Sequence, residues 1–259
     1  MAPQKTERGS GGGVQSLERA FALLEQLADA GGEAGLSELA ASSGLPLPTI
    51  HRLVRTLVAL GYVRQDSSRR YALGPRLIRL GEMASRQFGS WARPLLAELV
   101  QQVGETANLA ILDGDEIVYV AQAPSRHSMR MFTEVGRRVL PHGTGVGKAV
   151  LSRLPREEVA AILDRTGMPA YTPHTITDRD KLLRQLAQVA RQGYATDEGE
   201  QEIGVRCVAV PLTGGPARAA ISVSGPEGRL TKATVDRIVP LMRRTAEQLS
   251  QQLSNAASA

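Results

Sequence analysis

The sequence predicts an α+β chain in two parts, a small helical module ending in a two-stranded hairpin and a larger domain of mixed strands and helices. Three observations predict it. Helical periodicity dominates residues 14–60, two apolar strand-like runs flank Asp113-Gly114-Asp115, and a long amphipathic stretch closes the chain. The 259 residues suffice for two ordinary domains. With 42% hydrophobic but only 3% aromatic residues, the core must be built from Leu, Val, Ile and Ala.

The ends and the rare residues narrow the class. Residues 1–13, MAPQKTERGSGGG, read as a disordered tail without an apolar signal segment. No apolar run approaches the ~20 residues of a membrane span, so a cytoplasmic location is expected. One cysteine, Cys207, leaves no intrachain disulfide. With His51, His127, His142 and His174 scattered, no metal-ligand spacing arises. Neither metal nor cofactor is expected.

In residues 14–28 the apolar positions Leu17, Ala20, Phe21, Leu24 and Leu27 form one helical stripe. A short helix, LSELAASS, then stops at Gly44, where a left-handed terminus suits glycine. A longer helix starts near Pro48, with Ile50, Leu53, Val54, Leu57 and Val58 as its buried face. Thr49, Arg52 and Thr56 share the opposite face, with Arg55 beside it. YVRQ and RRYAL then make a hairpin around Asp66-Ser67-Ser68. The pattern is a helix-turn-helix followed by a wing.

Charge divides sharply within this module. Residues 15–44 hold one arginine against five acids, whereas residues 45–80 hold seven arginines against Asp66 alone. A phosphate backbone would meet the second half, and counterion release would make the binding salt-dependent. Thr49, Arg52, Arg55 and Thr56 are the expected major-groove residues. Arg69 and Arg70 are expected along the backbone or in the minor groove. A module that binds protein, its arginines merely solvated, is the competing reading.

Within residues 36–80, the SGLP turn, the His51-Arg52-Leu53 of the second helix and the YALG after the wing resemble the winged helix of the IclR family of bacterial transcriptional regulators. Leu47 and Pro48 depart from the polar residues frequent there, which removes a side-chain helix cap. The resemblance extends over residues 14–253. It implies a winged helix-turn-helix (14–74), a linker helix (75–90) and a GAF-like effector-binding domain (91–259).

The second part supports that division. TANLAIL (106–112) and EIVYVAQ (116–122) read as a hairpin, and MRMFTEV (129–135) as a third strand. Helices are expected at about 145–154, 156–166 and 178–192, the last with Thr177 and Asp180 in capping-box-like positions. Strands 205–212 and 217–225, joined by a turn at 213–216, and a helix over 232–253 complete it.

HGTGVGKAVL (142–151) resembles a phosphate-binding loop but lacks its spacing, and Ala149 has no oxygen for magnesium. ATP chemistry is therefore not expected, and Lys148 is the residue least expected to touch a ligand. The helix start at Gly145 still offers free amides to a small anion. Ser222 and Ser224, two apart on a strand, face one side of the sheet. With Cys207 as a soft wall and Asp197 as a polar partner, they outline a pocket for a small carboxylate. The family resemblance implies the same set, with the Gly145 and Val146 amides holding the carboxylate of a ligand such as glyoxylate or another 2-oxo acid. Met129 and Leu140 are expected as apolar walls.

The function implied is a ligand-responsive transcriptional repressor acting on double-stranded operator DNA. Paired half-sites require a homodimer, and the resemblance suggests a dimer of dimers. The alternative is a hydrolase or kinase with an accessory winged helix, using Cys207, His142 and Asp197 as nucleophile, base and orienter. A mid-strand cysteine among apolar neighbours argues against it, because burial raises a thiol pKa. No catalytic residue is expected.

Overall fold

The computed structural model describes residues 14–128, 134–213 and 218–257. The chain divides into two units, with the boundary between Ala84 and Ser85.

In the first unit, α1 (Gln15–Asp29), α2 (Leu36–Ser43) and α3 (Leu47–Ala59) close around Leu23, Leu27, Leu39, Ile50 and Val54, all essentially buried. Gly44 ends α2 at φ +64°, the left-handed conformation that glycine adopts without steric cost. The wing is β2 (Val63–Gln65) paired with β3 (Tyr71–Leu73), and β3 also pairs with a two-residue strand, β1 (Glu33–Ala34). Asp66 folds the wing tip, its Oδ1 accepting from the Ser68 and Arg70 backbone amides, each at 2.9 Å.

A helix, α4 (Arg76–Phe88), runs across the boundary, and α5 (Arg93–Val103) leads into the second unit's sheet. Its strands are β4 (Thr106–Asp113), β5 (Glu116–Ala123), β6 (Arg138–Val139), β7 (Ala195–Glu198), β8 (Val205–Pro211) and β9 (Ala219–Pro226). They lie in the order β6-β5-β4-β9-β8-β7, every pair antiparallel. Between β6 and β7 come α6 (Gly145–Leu151), α7 (Arg156–Thr166) and α8 (Arg179–Gln192), and α9 (Lys232–Ala257) closes the chain.

Alternation along the strands sorts the two faces. Leu109, Val208, Val210, Ile221 and Val223 point to α5 and α9, where Leu96, Leu99 and Met242 complete the larger core. Ala110, Ala209 and Ala220 point to α6 and meet Val146 and Ala149. Small residues on both sides bring α6 close to the sheet, and glycine brings it closer. A Cβ on Gly147 would collide with the backbone of Pro141, and one on Gly145 would stand 3.1 Å from Cys207 Sγ. The alternating glycines of GTGVG thus serve close packing of a short helix.

Several expectations need correction. Leu17 and Phe21 are 57% and 63% exposed, whereas Leu23 is buried, so the core-facing stripe of α1 is rotated from the expected one. On α3, Ile50, Val54 and Leu57 are buried, but Leu53 is only partly covered and Val58 faces outward. Asp178, not Thr177, caps α8, its Oδ1 accepting from Lys181 N. Most of MRMFTEV and of the 213–216 turn lies outside the described residues, and the strand that pairs with β5 is β6.

Candidate functional site

The exposed face of α3 carries His51, Arg52, Arg55 and Thr56, with Thr49 half-buried at its start. Among the described residues Arg52, Arg55 and Arg69 have no ion-pair partner, so three guanidinium groups remain open to an anionic surface. The Thr56 hydroxyl is exposed and donates back to the Arg52 carbonyl at 3.0 Å. Arg69 holds φ +64°, uncommon for a side-chain-bearing residue, at the wing tip.

Arg70 differs from its neighbour. Its Nη2 lies 3.1 Å from Glu38 Oε2 and its Nε 3.4 Å from Glu33 Oε1, tying the wing to α2 and β1. Glu38 also accepts from Gly35 N at 2.7 Å, and that amide and Arg70 together hold its carboxyl below the usual range. Arg76 is likewise occupied, donating to the Leu60 carbonyl at the end of α3 and lying over the Tyr62 ring. Two of the seven arginines therefore stitch the module together, which the charge count alone could not show.

In the second unit, strand register assembles a polar row across the sheet. Asp197 pairs with Cys207, Cys207 with Ser224, and Ser224 with Thr106. Over this row lies a cavity of about 110 Å³ whose lining includes Gly145, Asp197, Cys207 and Ser224. Tyr119, Arg137, Thr144, Gln201 and a second carboxylate, Glu202, complete its polar wall. Of the expected residues, Val146 is buried against the sheet, and Leu140 lies outside the lining. Ser222 sits one pleat further along, buried, with its Oγ 3.5 Å from Asn108 Nδ2. Met129 lies outside the described residues.

Burial sets the chemistry of this wall. It pushes the Asp197 carboxyl up to about 6, against the opposing pull of the Glu200 amide, which donates to Asp197 Oδ1 at 2.6 Å. It pushes the Cys207 thiol up to about 12, so the sulfur is a neutral, soft wall rather than a nucleophile. His142 Nε2 lies 3.0 Å from the Pro169 carbonyl, and its pKa is lowered by burial. Neither of its nitrogens hydrogen-bonds Cys207, and the relay a hydrolase would need is not assembled.

Behind the cavity, Lys148 is fully buried and paired with the carboxylate of Glu200, itself 4% exposed. The segment carrying Glu200 is pinned further by Thr172, which donates to the Gly199 carbonyl at 2.7 Å, and by Thr175, which donates to the Glu200 carbonyl at 2.6 Å. Glu200 Oε2, His142 Nδ1 and Gln201 Oε1 are buried without hydrogen-bond partners among the described residues.

Comparison with known proteins agrees with this architecture. Residues 16–67 match the IclR helix-turn-helix domain, and residues 83–251 match the bacterial transcriptional regulator IclR C-terminal family. The chain belongs to the IclR family. It is 36% identical over 246 residues to the transcriptional repressor IclR of Escherichia coli strain K12, covering 92% of this chain and 90% of that protein. The crystal structure of an IclR transcriptional regulator from Alicyclobacillus acidocaldarius superposes with a TM-score of 0.81 at 30% identity, covering 93% and 99% of the two chains. An IclR homologue from Microbacterium hydrocarbonoxydans, solved in complex with 4-hydroxybenzoate, gives 0.76 at 26% identity, covering 92% and 99%.

IclR-family membership makes the chain a DNA-binding transcriptional regulator rather than an enzyme, with DNA as its partner. Among the described residues, no helix is long and apolar enough to cross a membrane. Sequence reasoning missed Tyr119, Arg137 and the Lys148–Glu200 pair. The first two reach the cavity through the pairing of β5 with β6, for which no motif exists. The ion pair joins positions 52 apart and left no local signal.

Proposed function

We propose that this protein is a repressor whose second unit senses a small carboxylate, glyoxylate or another short 2-oxo acid, and whose first unit reads operator DNA. The observation that carries the reading is the composition of the 110 Å³ cavity. Its small size suits an acid of a few heavy atoms. The Gly145 and Val146 amides open α6 and have no intrahelical acceptor, so they suit the carboxylate. Ser224 offers a hydroxyl, Asp197 a partner for the oxo group or its hydrate, and Cys207 a soft apolar wall.

On the DNA side, Thr49, Arg52, Arg55 and Thr56 would face the major groove and Arg69 the phosphates, while Arg70 serves as an internal strut. Two copies are needed for paired half-sites, so the working form is a homodimer or a dimer of dimers. Residues 14–74 form the DNA-binding domain, 75–90 the linker helix and 91–259 the effector domain. The ligand regulates only if it binds the DNA-competent and DNA-incompetent states with different affinity.

The test is a thermal-shift titration of the full chain with glyoxylate and pyruvate. A ligand at 100 times its Kd adds about 2.7 kcal/mol of stability. The melting midpoint should rise, and Ser224→Ala should remove most of the rise. An undiminished rise in the variant would place the ligand elsewhere. On DNA, a gel shift showing no preference for any promoter fragment over competitor would sink the regulatory reading.

A further inference from the structure

The cavity has two polar ends on two different pieces of chain. Gly145 and Thr144 lie at the start of α6, whereas Asp197 and Gln201 lie on β7 and the segment that follows it. The backbone joins these pieces only through α7 and α8. Among the described residues a side-chain interaction outside the cavity lining ties them directly, the buried pair of Lys148 on α6 and Glu200 in the segment after β7. Glu200 is also bonded through its amide to Asp197 Oδ1 and through its carbonyl to Thr175. Strand pairing with Cys207 places Asp197 itself, whereas Glu200 orients its carboxyl and places the segment that carries Gln201.

We propose that the Lys148–Glu200 ion pair is the spacer that sets the width of the cavity between α6 and the Asp197–Gly204 segment, and thereby restricts the occupant to short carboxylic acids. The pair is a specificity-determining device that does not itself touch the ligand, and it rests on the carboxylate reading of the cavity given above. Three features support it. Lys148 is fully buried, so its ammonium tolerates little freedom of position once paired. Glycine at 145 and 147 lets α6 lie against Cys207 and Pro141, so the helix side of the gap is already rigid. The opposite side is an irregular segment, from Gly199 to Gly204, held by the Thr172 and Thr175 hydroxyls on the Gly199 and Glu200 carbonyls and by Glu227 N on the Gly204 carbonyl. The ion pair adds to these the tie that runs from the segment to α6.

The test uses full-length protein and Lys148→Met/Glu200→Gln, which removes both charges and strands neither in the interior. Amide hydrogen exchange without ligand is read first. Exchange in residues 197–204 should accelerate at least about tenfold, while the β8 and β9 amides keep their protection. Calorimetric titration with pyruvate and 2-oxohexanoate is read second. The wild type should favour the shorter acid by about tenfold or more, and the variant should lose most of that preference. Should the double variant fail to fold, Lys148→Met/Glu200→Leu, which likewise removes both charges and also the acceptor, is read in the same way.

Unchanged exchange in 197–204, or an unchanged preference for pyruvate in a variant that binds both acids, overturns the proposal. If the wild type binds neither acid, the carboxylate reading falls and the selectivity claim with it. The exchange measurement then still decides whether the ion pair holds the segment.

Discussion

Cations are used in opposite ways in the two units. On α3 and the wing, Arg52, Arg55 and Arg69 stand in solvent without ion-pair partners among the described residues. Behind the cavity, Lys148 is fully buried and committed to Glu200. Exposed charge contributes little to folding and much to meeting a polyanion, because its field reaches outward and is not already neutralised. Buried charge contributes architecture, because removing one partner leaves the other stranded in a low dielectric. What a cation contributes therefore depends on whether it is already paired: Arg52, Arg55 and Arg69 are not, whereas Lys148 is, as are Arg70 and Arg76 within the first unit.

That contrast can be broken most directly at Lys148. Lys148→Met should lower unfolding free energy by about 3–5 kcal/mol in urea titrations, since Glu200 is left charged and unpaired. A loss below about 1 kcal/mol would mean that the buried pair holds nothing.

Asp197 gives the next largest effect, and its sign is set by burial. The folded carboxyl titrates near 6 against an ordinary value of 3.8, so the folded state holds the proton more tightly than the unfolded chain. Above pH 6 the group is ionised in both states and costs about 3 kcal/mol, and the cost fades as pH falls from about 6 to about 4 and is absent below that. Asp197→Asn should therefore gain stability relative to wild type between pH 4.5 and 7.5. A difference between the two proteins that does not change over that range would contradict the burial account.

Arg55→Ala carries the opposite signature. Operator affinity should fall by about 1–3 kcal/mol in fluorescence-anisotropy titrations if the side chain reads a base edge, with folding stability within about 0.5 kcal/mol of wild type. Loss of stability without loss of affinity would reverse the comparison.

The smallest difference separates the two wing arginines. Arg69→Ala should reduce the slope of log affinity against log salt by about one. Arg70→Ala should leave that slope nearly unchanged, because its guanidinium is already paired with Glu38 and Glu33. Equal slopes for the two variants would show that Arg70 leaves its strut to meet DNA.

Most elements were legible because their apolar periods are strong. The β4–β5 hairpin, α6 to α9 and the wing lie close to where the pattern puts them. What periodicity cannot show is which neighbour covers a stripe. Leu17 and Phe21 fit the apolar stripe of α1 yet face outward, because α2 and α3 reach only as far as Leu23, Leu24 and Leu27. The same limit separates Ser222 from Ser224. Period two puts both on one face of β9, but Ser222 lies beside Asn108 and outside the cavity lining, while Ser224 lies in it. The sequence shows only that Lys148 is a poor candidate for touching a ligand; its pairing depends on Glu200, far along the chain.

The register of β9 has a consequence for the order of events on the ribosome. β4 finds its central neighbour only when β9 emerges, and Asn108 waits 114 positions for Ser222. Everything the first unit needs for its own core has left the ribosome long before, and N-terminal domains close as they emerge. During each round of synthesis there is an interval, several seconds at ~5–20 residues per second, in which the DNA-reading module is folded and its sensor does not yet exist. A nascent regulator passes through this interval with its second unit unformed.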